Sequence, residues 1–523
     1  MAAAAGSDGV RIAELVATLS YAADLGLGQP MEHCLRQTVI ALRLADLAGA
    51  DDADREATYY LGMLVNSYCH ADASEQARWF GDEISFKGDG FEMPLMSTPQ
   101  IAAVLLRKLG THGTTTDRVR RLVAFPVSGP RHIEAWLLTH TTLSSQFVER
   151  IGLGAEVEEA LLQAYEQWDG KGPRHIRGDR ISLPSRLVQI AAPVEVIARR
   201  HGTAAATKAA RKHAGSMFDP TLAALFADHA PTVLDGLDTA ATWDEVLAAE
   251  PRLTRRVSGH DLDEVLEGMA DLIDLKSPYL AGHSRGVANL AAEAARLEGR
   301  SEHDQRTVRR AGLLHDLGRL GVSNAIWDKP GPLTEVERER AHLHPYLTDK
   351  MLGRIPALAE SREIAARHHE RLDGSGYPRG LTAASLGPLD RVLAASDVYH
   401  AMTEPRPHRP ALDVTSAAKE LLAEVRAGRL DSDAVNAVLR AAGHRAPARR
   451  EGLGGLTPRE VEVLSLLARG LANKEIARRL GVTPKTASNH VEHIYTKIDV
   501  DSRAAATLYA TQHGLVGSFT AAS

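Results

Sequence analysis

Residues 307–318 read Thr-Val-Arg-Arg-Ala-Gly-Leu-Leu-His-Asp-Leu-Gly, and residues 368–378 read His-His-Glu-Arg-Leu-Asp-Gly-Ser-Gly-Tyr-Pro. Apolar residues recur at helical spacing in the first stretch and in most other segments, whereas alternating runs of β-branched residues are nearly absent. The fold is therefore predicted to be all-α. The pairs His315-Asp316 and His368-His369 are predicted to lie on helices. Neighbouring side chains on a helix point about 100° apart, so each pair can reach one metal cluster.

Five histidines and two aspartates form a candidate metal site in this part of the chain. The set contains no thiolate, so it favours Fe, Mn, Zn or similar first-row metals over Mg or Ca. The candidate ligands are His283, His315, Asp316, His344, His368, His369 and Asp397. Two metals about 3.5–4 Å apart can hold a hydroxide and clamp a phosphoryl oxygen. Asp316 and Arg319 are the candidate catalytic residues, with Arg319 as a bidentate phosphate contact.

Residues 260–445 resemble the HD-GYP family of phosphohydrolases, because they combine His315-Asp316 with the string His368 to Pro378. Asp397 and the stretch Arg406-Pro-His-Arg409 look like the motifs that follow in that family. The resemblance implies a helical bundle, a metal pair (Fe or Mn) and hydrolysis of cyclic di-GMP to pGpG and sometimes GMP. The candidate substrate contacts are Arg319, Gly376, Tyr377, Pro378, Arg406 and Arg409.

Two positions depart from the family pattern. Arg319 stands where the family commonly has lysine, and arginine changes the geometry of the contact although it keeps the charge. Tyr279 stands where members with a third metal have glutamate, so a binuclear site is expected. Two non-functional interpretations stay open. The seven-residue set could belong to a metal-free, degenerate bundle, and Gly376 and Pro378 could simply form a turn.

Residues 1–250 are predicted to be a second copy of the same helical unit. His33 precedes Val65 by 32 residues, as His283 precedes His315, and His140 precedes Ala164 by 24, as His344 precedes His368. The ligand pairs are replaced by Val65-Asn66 and Ala164-Tyr165, and the last aspartate by Ala192 or Pro193. This copy is therefore expected not to be catalytic.

The role of the first copy stays open between a packing or dimerisation partner and a small-molecule sensor that uses the vacated cavity. It carries about 46 extra residues, roughly between Asp72 and Pro130, for which the sequence indicates no chemistry. Cys69 and His70 are adjacent but have no evident partners, so they are predicted to be structural.

Residues 456–523 are predicted to form four short helices, after a linker at residues 446–455. Thr457 and Glu460 form a capping box, and Thr483 caps a third helix over residues 484–497. A helix, a short glycine turn and a helix with an outward polar start are typical of a helix-turn-helix. The candidate DNA contacts are Lys474, Lys485, Thr486, Asn489, His490 and Lys497.

This module resembles the LuxR-type helix-turn-helix domain over roughly 60 residues, through LTPREVEVL and ARGLANKEIARRLGVTPKTASNHVEHIYTKIDV. The resemblance implies that the third helix enters the major groove and that the fourth supports dimerisation on a two-fold operator. The expected architecture is therefore two HD-type helical bundles in tandem, residues 1–250 and 251–445, plus a C-terminal four-helix LuxR-type domain.

The net charge of −6 excludes a uniformly basic nucleic-acid-coating protein. Two cysteines cannot form a disulfide framework, so a reducing cytosol is expected. Residues 452–523 carry a net +2 and the rest a net −8. The sequence lacks a signal peptide and a spanning segment, so a cytoplasmic protein is expected. Three functions remain open: a phosphodiesterase fused to a DNA-binding output, a non-catalytic nucleotide-sensing transcription factor, and a phosphohydrolase of another nucleotide such as an alarmone.

Overall fold

The computed structural model describes residues 9–90, 98–109, 115–237, 242–251, 255–443 and 456–516. The prediction of an all-α chain is confirmed, since the described residues form helices α1 to α26 and one pair of two-residue strands. Among the helices that the structure describes, none combines the length and the apolar content needed to cross a membrane. The predicted linker at residues 446–455 lies outside the described residues.

The chain divides into two compact units, residues 1–262 and residues 263–523. In the first unit, β1 (Val10–Arg11) pairs antiparallel with β2 (Arg256–Val257). The helices of this unit are α1 (Ile12–Gly26), α2 (His33–Ala48), α3 (Asp52–Leu64), α4 (Ala73–Phe80), α5 (Glu83–Gly90), α6 (Thr98–Lys108), α7 (Thr115–Ile151), α8 (Ala155–Leu162), α9 (Leu183–His201), α10 (Thr203–His213), α11 (Pro220–Val233) and α12 (Thr242–Ala248).

Fourteen further helices follow, of which α13 (Gly259–Asp274) spans the division between the units. The helices that follow it in the second unit are α14 (His283–Leu297), α15 (Glu302–Leu314), α16 (Asn324–Trp327), α17 (Glu335–His342), α18 (His344–Leu352), α19 (Ala359–Ala365), α20 (Pro388–Thr403), α21 (Val414–Arg426), α22 (Ser432–Gly443), α23 (Pro458–Ala468), α24 (Asn473–Leu480), α25 (Pro484–Lys497) and α26 (Arg503–Gln512).

The core of the second unit forms where α14 packs against α15, α20 and α22. Gly312 of α15 lets the backbone of α14 approach closely, because a Cβ at this position would lie 2.6 Å from the Cα of Ala288. Gly62 of α3 approaches Thr38 of α2 in the same way, with a Cβ 3.1 Å from its Cα. These contacts hold α15 against α14 and α3 against α2. α15 ends next to His315, and α3 ends next to Val65.

Helices α23 to α26 pack around an apolar core of their own, in which Leu464, Leu467, Ile476 and Ile494 are buried. The predicted starts are confirmed, since Thr457 caps α23 in a capping box with Glu460 and Thr483 accepts the backbone N–H of Thr486. The third of these helices runs from Pro484 to Lys497, as predicted. The bundle thus presents a helix-turn-helix formed by α24 and α25.

Candidate functional site

The candidate ligands lie at helix ends or in the turns that follow them, except Asp397. His283 begins α14, His344 begins α18, and Asp397 lies within α20. The predicted placement of both adjacent pairs inside helices is wrong. α15 ends at Leu314, with His315 as its C-cap, because residues 317–321 tighten into a 3-10 helix. His368 and His369 lie in turns after α19, which ends at Ala365.

The seven side chains nevertheless converge on one point. Asp316 is central, with Oδ2 at 3.3 Å from Nε2 of His315 and Oδ1 at 3.4 Å from Nε2 of His344 and 3.7 Å from Nε2 of His368. Asp397 lies on the other side, with Oδ1 at 3.3 Å from Nε2 of His283. Its Oδ2 is 3.7 Å from Nδ1 of His369. These atoms group into overlapping sets that can each hold a metal ion.

The donor atoms fit metal ions better than they fit one another. Nε2 of His283, Nε2 of His315 and Oδ1 of Asp316 are buried and make no hydrogen bond to the described residues. Buried polar atoms of this kind cost free energy unless something binds them. Imidazole and carboxylate donors together suit first-row metals. These unpaired donor atoms are therefore of the type that bound first-row metal ions would coordinate.

Hydrogen bonds on the far ring nitrogen orient three of the imidazoles. Nδ1 donates to the carbonyl oxygen three residues upstream in His315 (2.8 Å to Gly312), His344 (2.6 Å to Ala341) and His368 (2.6 Å to Ala365). A ring that donates from Nδ1 keeps the lone pair on Nε2, which is the atom that faces the centre. The backbone thus sets the tautomer that a metal ligand needs.

His283 is oriented differently, by a carboxylate that the sequence analysis missed. Its Nδ1 lies 2.9 Å from Oε2 of Glu404 and 3.2 Å from Nδ1 of His400. Burial would lower the pKa of His283, but the Glu404 charge and the close approach of the Asp397 and Glu404 carboxylates raise it to about 10. Glu404 follows α20 without any motif of its own, so no sequence signal marks it.

Both aspartates and His368 are in the protonation states that metal ligands need. Burial would raise the pKa of Asp316, but Arg319 and His315 lower it well below its ordinary value. The pKa of Asp397 is also lowered well below its ordinary value, because hydrogen bonding to His283 and nearby imidazoles outweigh burial. Burial and the charge of His315 lower the pKa of His368 to about 4. The site therefore presents ionised carboxylates beside imidazoles that are neutral at His344, His368 and His369, whereas the neighbouring carboxylates favour the protonated form of His283 and His315.

Arg319 is held against the metal ligands rather than free. Its Nε lies 2.7 Å from Oδ2 of Asp316, and its guanidinium stacks over the ring of Trp327 at 4.5 Å. The ring of Trp327 in turn meets His344 edge to face. No sequence motif marks Trp327, whose ring fixes the plane of the guanidinium.

The glycine loop after His369 folds back onto the metal ligands. Glu370 accepts the backbone N–H groups of Arg379 and Leu381, both at 2.8 Å. A Cβ at Gly376 would lie 2.5 Å from the Cα of Glu370, so this close approach requires glycine. The loop thereby brings Tyr377 to 4.7 Å from the ring of His369, and Pro378 follows it directly.

The two arginines after α20 differ in their contacts. Arg406 lies 3.1 Å from Oε2 of Glu404 and so borders the ligand that Glu404 orients. Arg409 donates to the carbonyl oxygens of Ala401 and Met402 at the end of α20, which engages its guanidinium with the backbone. Arg406 therefore contacts the glutamate that orients a candidate metal ligand, whereas Arg409 bonds to the backbone.

The corresponding positions of the first unit line one cavity. Val65, Asn66, His140, Ala164, Ala192 and Pro193 all border it. His33 is buried and its Nδ1 lies 2.6 Å from Oε2 of Glu195, much as His283 meets Glu404. The prediction that Cys69 has no partners is wrong, since its Sγ lies 3.3 Å from the hydroxyl oxygen of Tyr165.

The candidate DNA contacts lie on α24 and α25. Lys474, Lys485 and Asn489 are exposed, whereas Thr486 and His490 are partly buried. Lys497 sits at the far end of α25, and its Nζ lies 2.7 Å from Oε2 of Glu460. Lys497 therefore ties α25 to the capping box of α23.

Known families match two stretches of the chain. Residues 267–434 match the HD domain, and residues 455–510 match the bacterial regulatory proteins of the luxR family. A Vibrio cholerae protein described as 3'3'-cGAMP-specific phosphodiesterase 3 is 28% identical over 411 residues. The alignment covers 78% of this chain and 89% of that relative.

Other relatives match a smaller share. A cyclic di-GMP phosphodiesterase of Thermotoga maritima is 35% identical over 176 residues, which are 33% of this chain and 47% of the relative. The crystal structure of a V. cholerae cyclic GMP-AMP-specific phosphodiesterase superposes with a TM-score of 0.57 and 24% identity. It covers 84% of this chain and 99% of that chain, which shows the shared fold. The chain thus joins an HD domain to a C-terminal DNA-binding domain of the luxR family.

Proposed function

We propose that this protein is a metal-dependent phosphodiesterase that opens a cyclic dinucleotide and also regulates transcription by binding DNA. One observation carries the catalytic half: seven histidine and aspartate side chains converge, six of them buried, and ligand atoms of His283, His315 and Asp316 make no hydrogen bond to the described residues. The DNA-binding half rests on the luxR-family domain. Cyclic di-GMP is the first candidate substrate, and 3'3'-cGAMP is the second because a relative aligned over 411 residues is specific for it.

The residues that would hold the metals are the seven candidate ligands, with two divalent ions, Fe or Mn, as the expected set. When bound, such ions activate water and act as Lewis acids toward a phosphoryl oxygen. Asp316 is the proposed bridging ligand, because both its oxygens face imidazole nitrogens. Arg319 holds Asp316 ionised and keeps further N–H donors for a phosphate oxygen.

The surrounding loop is proposed to position the nucleotide. Tyr377 stacks on His342 with ring centroids 3.7 Å apart, which stiffens an aromatic wall beside His369. Gly376 and Pro378 place that wall, and Arg406 adds a positive charge at the edge of the ligand set. Arg409 is proposed to support this end of α20, and any substrate contact requires it to release backbone carbonyls.

We propose that residues 1–250 are a degenerate copy of residues 251–445, followed by a linker at 446–455 and the DNA-binding domain at 456–523. Matching details support the repeat. Asp24 accepts the backbone N–H of Cys34, and Asp274 that of Ser284, 250 positions later. Glu166 accepts N–H groups of its own glycine loop, as Glu370 does.

DNA contact is proposed for Lys474, Lys485, Thr486, Asn489 and His490, with Lys497 supporting the helix that carries them. A homodimer is expected, because such modules bind two-fold operators. Since its operator would be chromosomal, the protein is expected in the cytoplasm.

The test is to load the full-length protein with Mn²⁺ or Fe²⁺ and to follow cyclic di-GMP and 3'3'-cGAMP by chromatography. Wild type should yield the linear dinucleotide, and Asp316→Ala should lose at least about 10³-fold in rate, because a bridging ligand is removed. Asp263→Ala, which breaks a surface ion pair with Arg310, is the matched control and should keep full activity.

The outcomes separate the alternatives. Tight nucleotide binding without turnover in metal-loaded wild type would replace the enzyme by a nucleotide-sensing transcription factor. Turnover of an alarmone alone would change the substrate class and keep the metal site. Equal activity of Asp316→Ala and wild type would remove the proposed site.

A further inference from the structure

The first unit contains a cavity of about 490 Å³ at the positions that correspond to the metal ligands of the second unit. Most of its walls are apolar, including Val65, Phe86, Trp136, Leu137 and Val188. Its volume falls in the range of small-molecule sites, which are largely apolar with a few placed polar groups. Three of its polar lining residues, Asn66, Lys87 and Tyr165, contact Cys69.

Cys69 is embedded in a network of hydrogen-bonding groups. His140 borders the same cavity and is near enough for its charge to act on the thiol, and its Nε2 lies 2.9 Å from Oδ2 of Asp72. The Sγ of Cys69 is 3.3 Å from the hydroxyl oxygen of Tyr165, and Nζ of Lys87 donates to the carbonyl oxygen of Cys69 at 2.8 Å. A thiol, an imidazole and a carboxylate in series form the arrangement that activates a sulfur nucleophile.

The charges around Cys69 favour the thiolate. Burial would raise the pKa of the Cys69 thiol, but the nearby charge of His140 lowers it below the ordinary value. Burial would lower the pKa of His140, but Cys69 and Asp72 raise it. Cys34 is the opposite case, because burial and Asp24 raise the pKa of its thiol. The chain therefore holds one activated and one inert cysteine.

A further polar group of this cavity lacks a partner. Gln76 borders the cavity and is 4% exposed, and its Oε1 accepts no hydrogen bond from any residue that the structure describes. A buried amide oxygen of this kind calls for a donor from a bound molecule. The only lysine or arginine that borders the cavity in the described residues is Lys87, which is too little charge for the two phosphates of a cyclic dinucleotide.

We propose that the first unit binds a small, mostly apolar α,β-unsaturated carbonyl compound in this cavity and that Cys69 bonds to it covalently. The apolar walls would take the body of the compound, and the polar groups beside Cys69 would take its carbonyl group. This role is independent of the proposed phosphodiesterase activity, since it uses none of the candidate metal ligands.

The reaction balances without any oxidant or reductant. The thiol proton passes to His140, and a sulfur electron pair forms the C–S bond to the β-carbon. The π bond between the α- and β-carbons breaks, and its electron pair moves to the carbonyl oxygen as an enolate. Lys87 borders the cavity beside Cys69 and can donate to that oxygen. His140 then returns the proton to the α-carbon, so that S–H has added across the double bond.

The experiment treats the full-length protein with N-phenylmaleimide and locates the adduct by peptide mass spectrometry. Cys69 should be modified first, with a rate that saturates as the reagent concentration rises, because binding precedes bonding. The saturated analogue N-phenylsuccinimide should protect Cys69 in wild type. His140→Gln should slow the reaction about tenfold or more, because the base that activates the thiol is lost.

Cys34 is the internal control and should remain unmodified while the protein is folded. The proposal is overturned if Cys34 or Lys87 is labelled as fast as Cys69. It is also overturned if N-phenylsuccinimide gives no protection, or if the rate rises linearly and matches that of free glutathione. The protection experiment needs no variant, so it remains decisive if His140→Gln does not fold.

Discussion

In four candidate ligand histidines, the hydrogen bond made by Nδ1 determines whether Nε2, which faces the centre of the site, can bind a metal. In His315, His344 and His368 a backbone carbonyl accepts from Nδ1, so the tautomer follows from local chain geometry alone. His283 has no such carbonyl bond and depends on Glu404, which belongs to a distant part of the sequence. Glu404 is therefore the residue through which the proposed metal site is most open to change without loss of a ligand.

We expect Glu404→Gln to weaken metal binding about 10- to 100-fold, because a carboxylate partner raises the basicity of a ligating histidine and fixes its ring. The measurement is the dissociation constant for Mn²⁺, followed by metal analysis after equilibrium dialysis. Glu424→Gln is the matched control, since Glu424 pairs with Arg429 away from the ligand set. An unchanged constant in Glu404→Gln would show that His283 needs no such support.

Single residues also show how much of the candidate site can be predicted from the sequence. The adjacent pairs His315-Asp316 and His368-His369 identified the candidate ligands, because their chemistry is rare and local in the chain. The helix ends beside them were predicted wrongly, since periodicity continues through a turn that the backbone tightens. The partners of Cys69 were missed because His140 lies 71 residues away, beyond an insertion that the repeat spacing leaves out.

At the scale of elements, the C-terminal helices were the most predictable part of the fold. α25 begins and ends where the sequence indicates, because Thr483 and Pro484 determine its start locally. Side-chain contacts along that helix were less predictable. Lys485 and Lys497 are both exposed, as their outward positions predict, but Lys497 also pairs with Glu460 of α23.

Alanine substitutions at the two lysines of α25 should therefore have different effects on DNA affinity and on thermal stability. Lys485→Ala should weaken binding to DNA selected from a random pool and reduce the slope of log affinity against log salt by about 1, because one phosphate contact is lost. Its Tm should stay unchanged. Lys497→Ala should instead lower the Tm of the C-terminal domain, since the Glu460 cap loses its partner. Calorimetry and fluorescence anisotropy distinguish the two effects, and equal DNA affinity for Lys485→Ala and wild type would remove Lys485 from the interface.

At the scale of the whole chain, two units share details of their construction but differ in chemistry. Asp24 and His33 of the first unit are spaced like Asp274 and His283 of the second, and each histidine meets a glutamate through Nδ1. The helices that present these groups are alike, so the fold does not decide which unit binds metal. The replaced positions decide it, because the groups of histidine and carboxylate side chains close enough to hold a metal ion all lie in the second unit, among the residues that the structure describes.

Metal content should therefore separate the two units within one molecule. Wild type is expected to hold about two first-row metal ions per chain, as a binuclear site requires. His283→Gln should lose most of this metal, whereas His33→Gln, the matched change 250 positions earlier, should retain all of it. Elemental analysis of the purified full-length variants measures both, with circular dichroism to confirm that each remains folded. Equal loss in the two variants would mean that the first unit also holds metal, and its cavity would then have to be assigned to an ion rather than to the apolar ligand proposed for it.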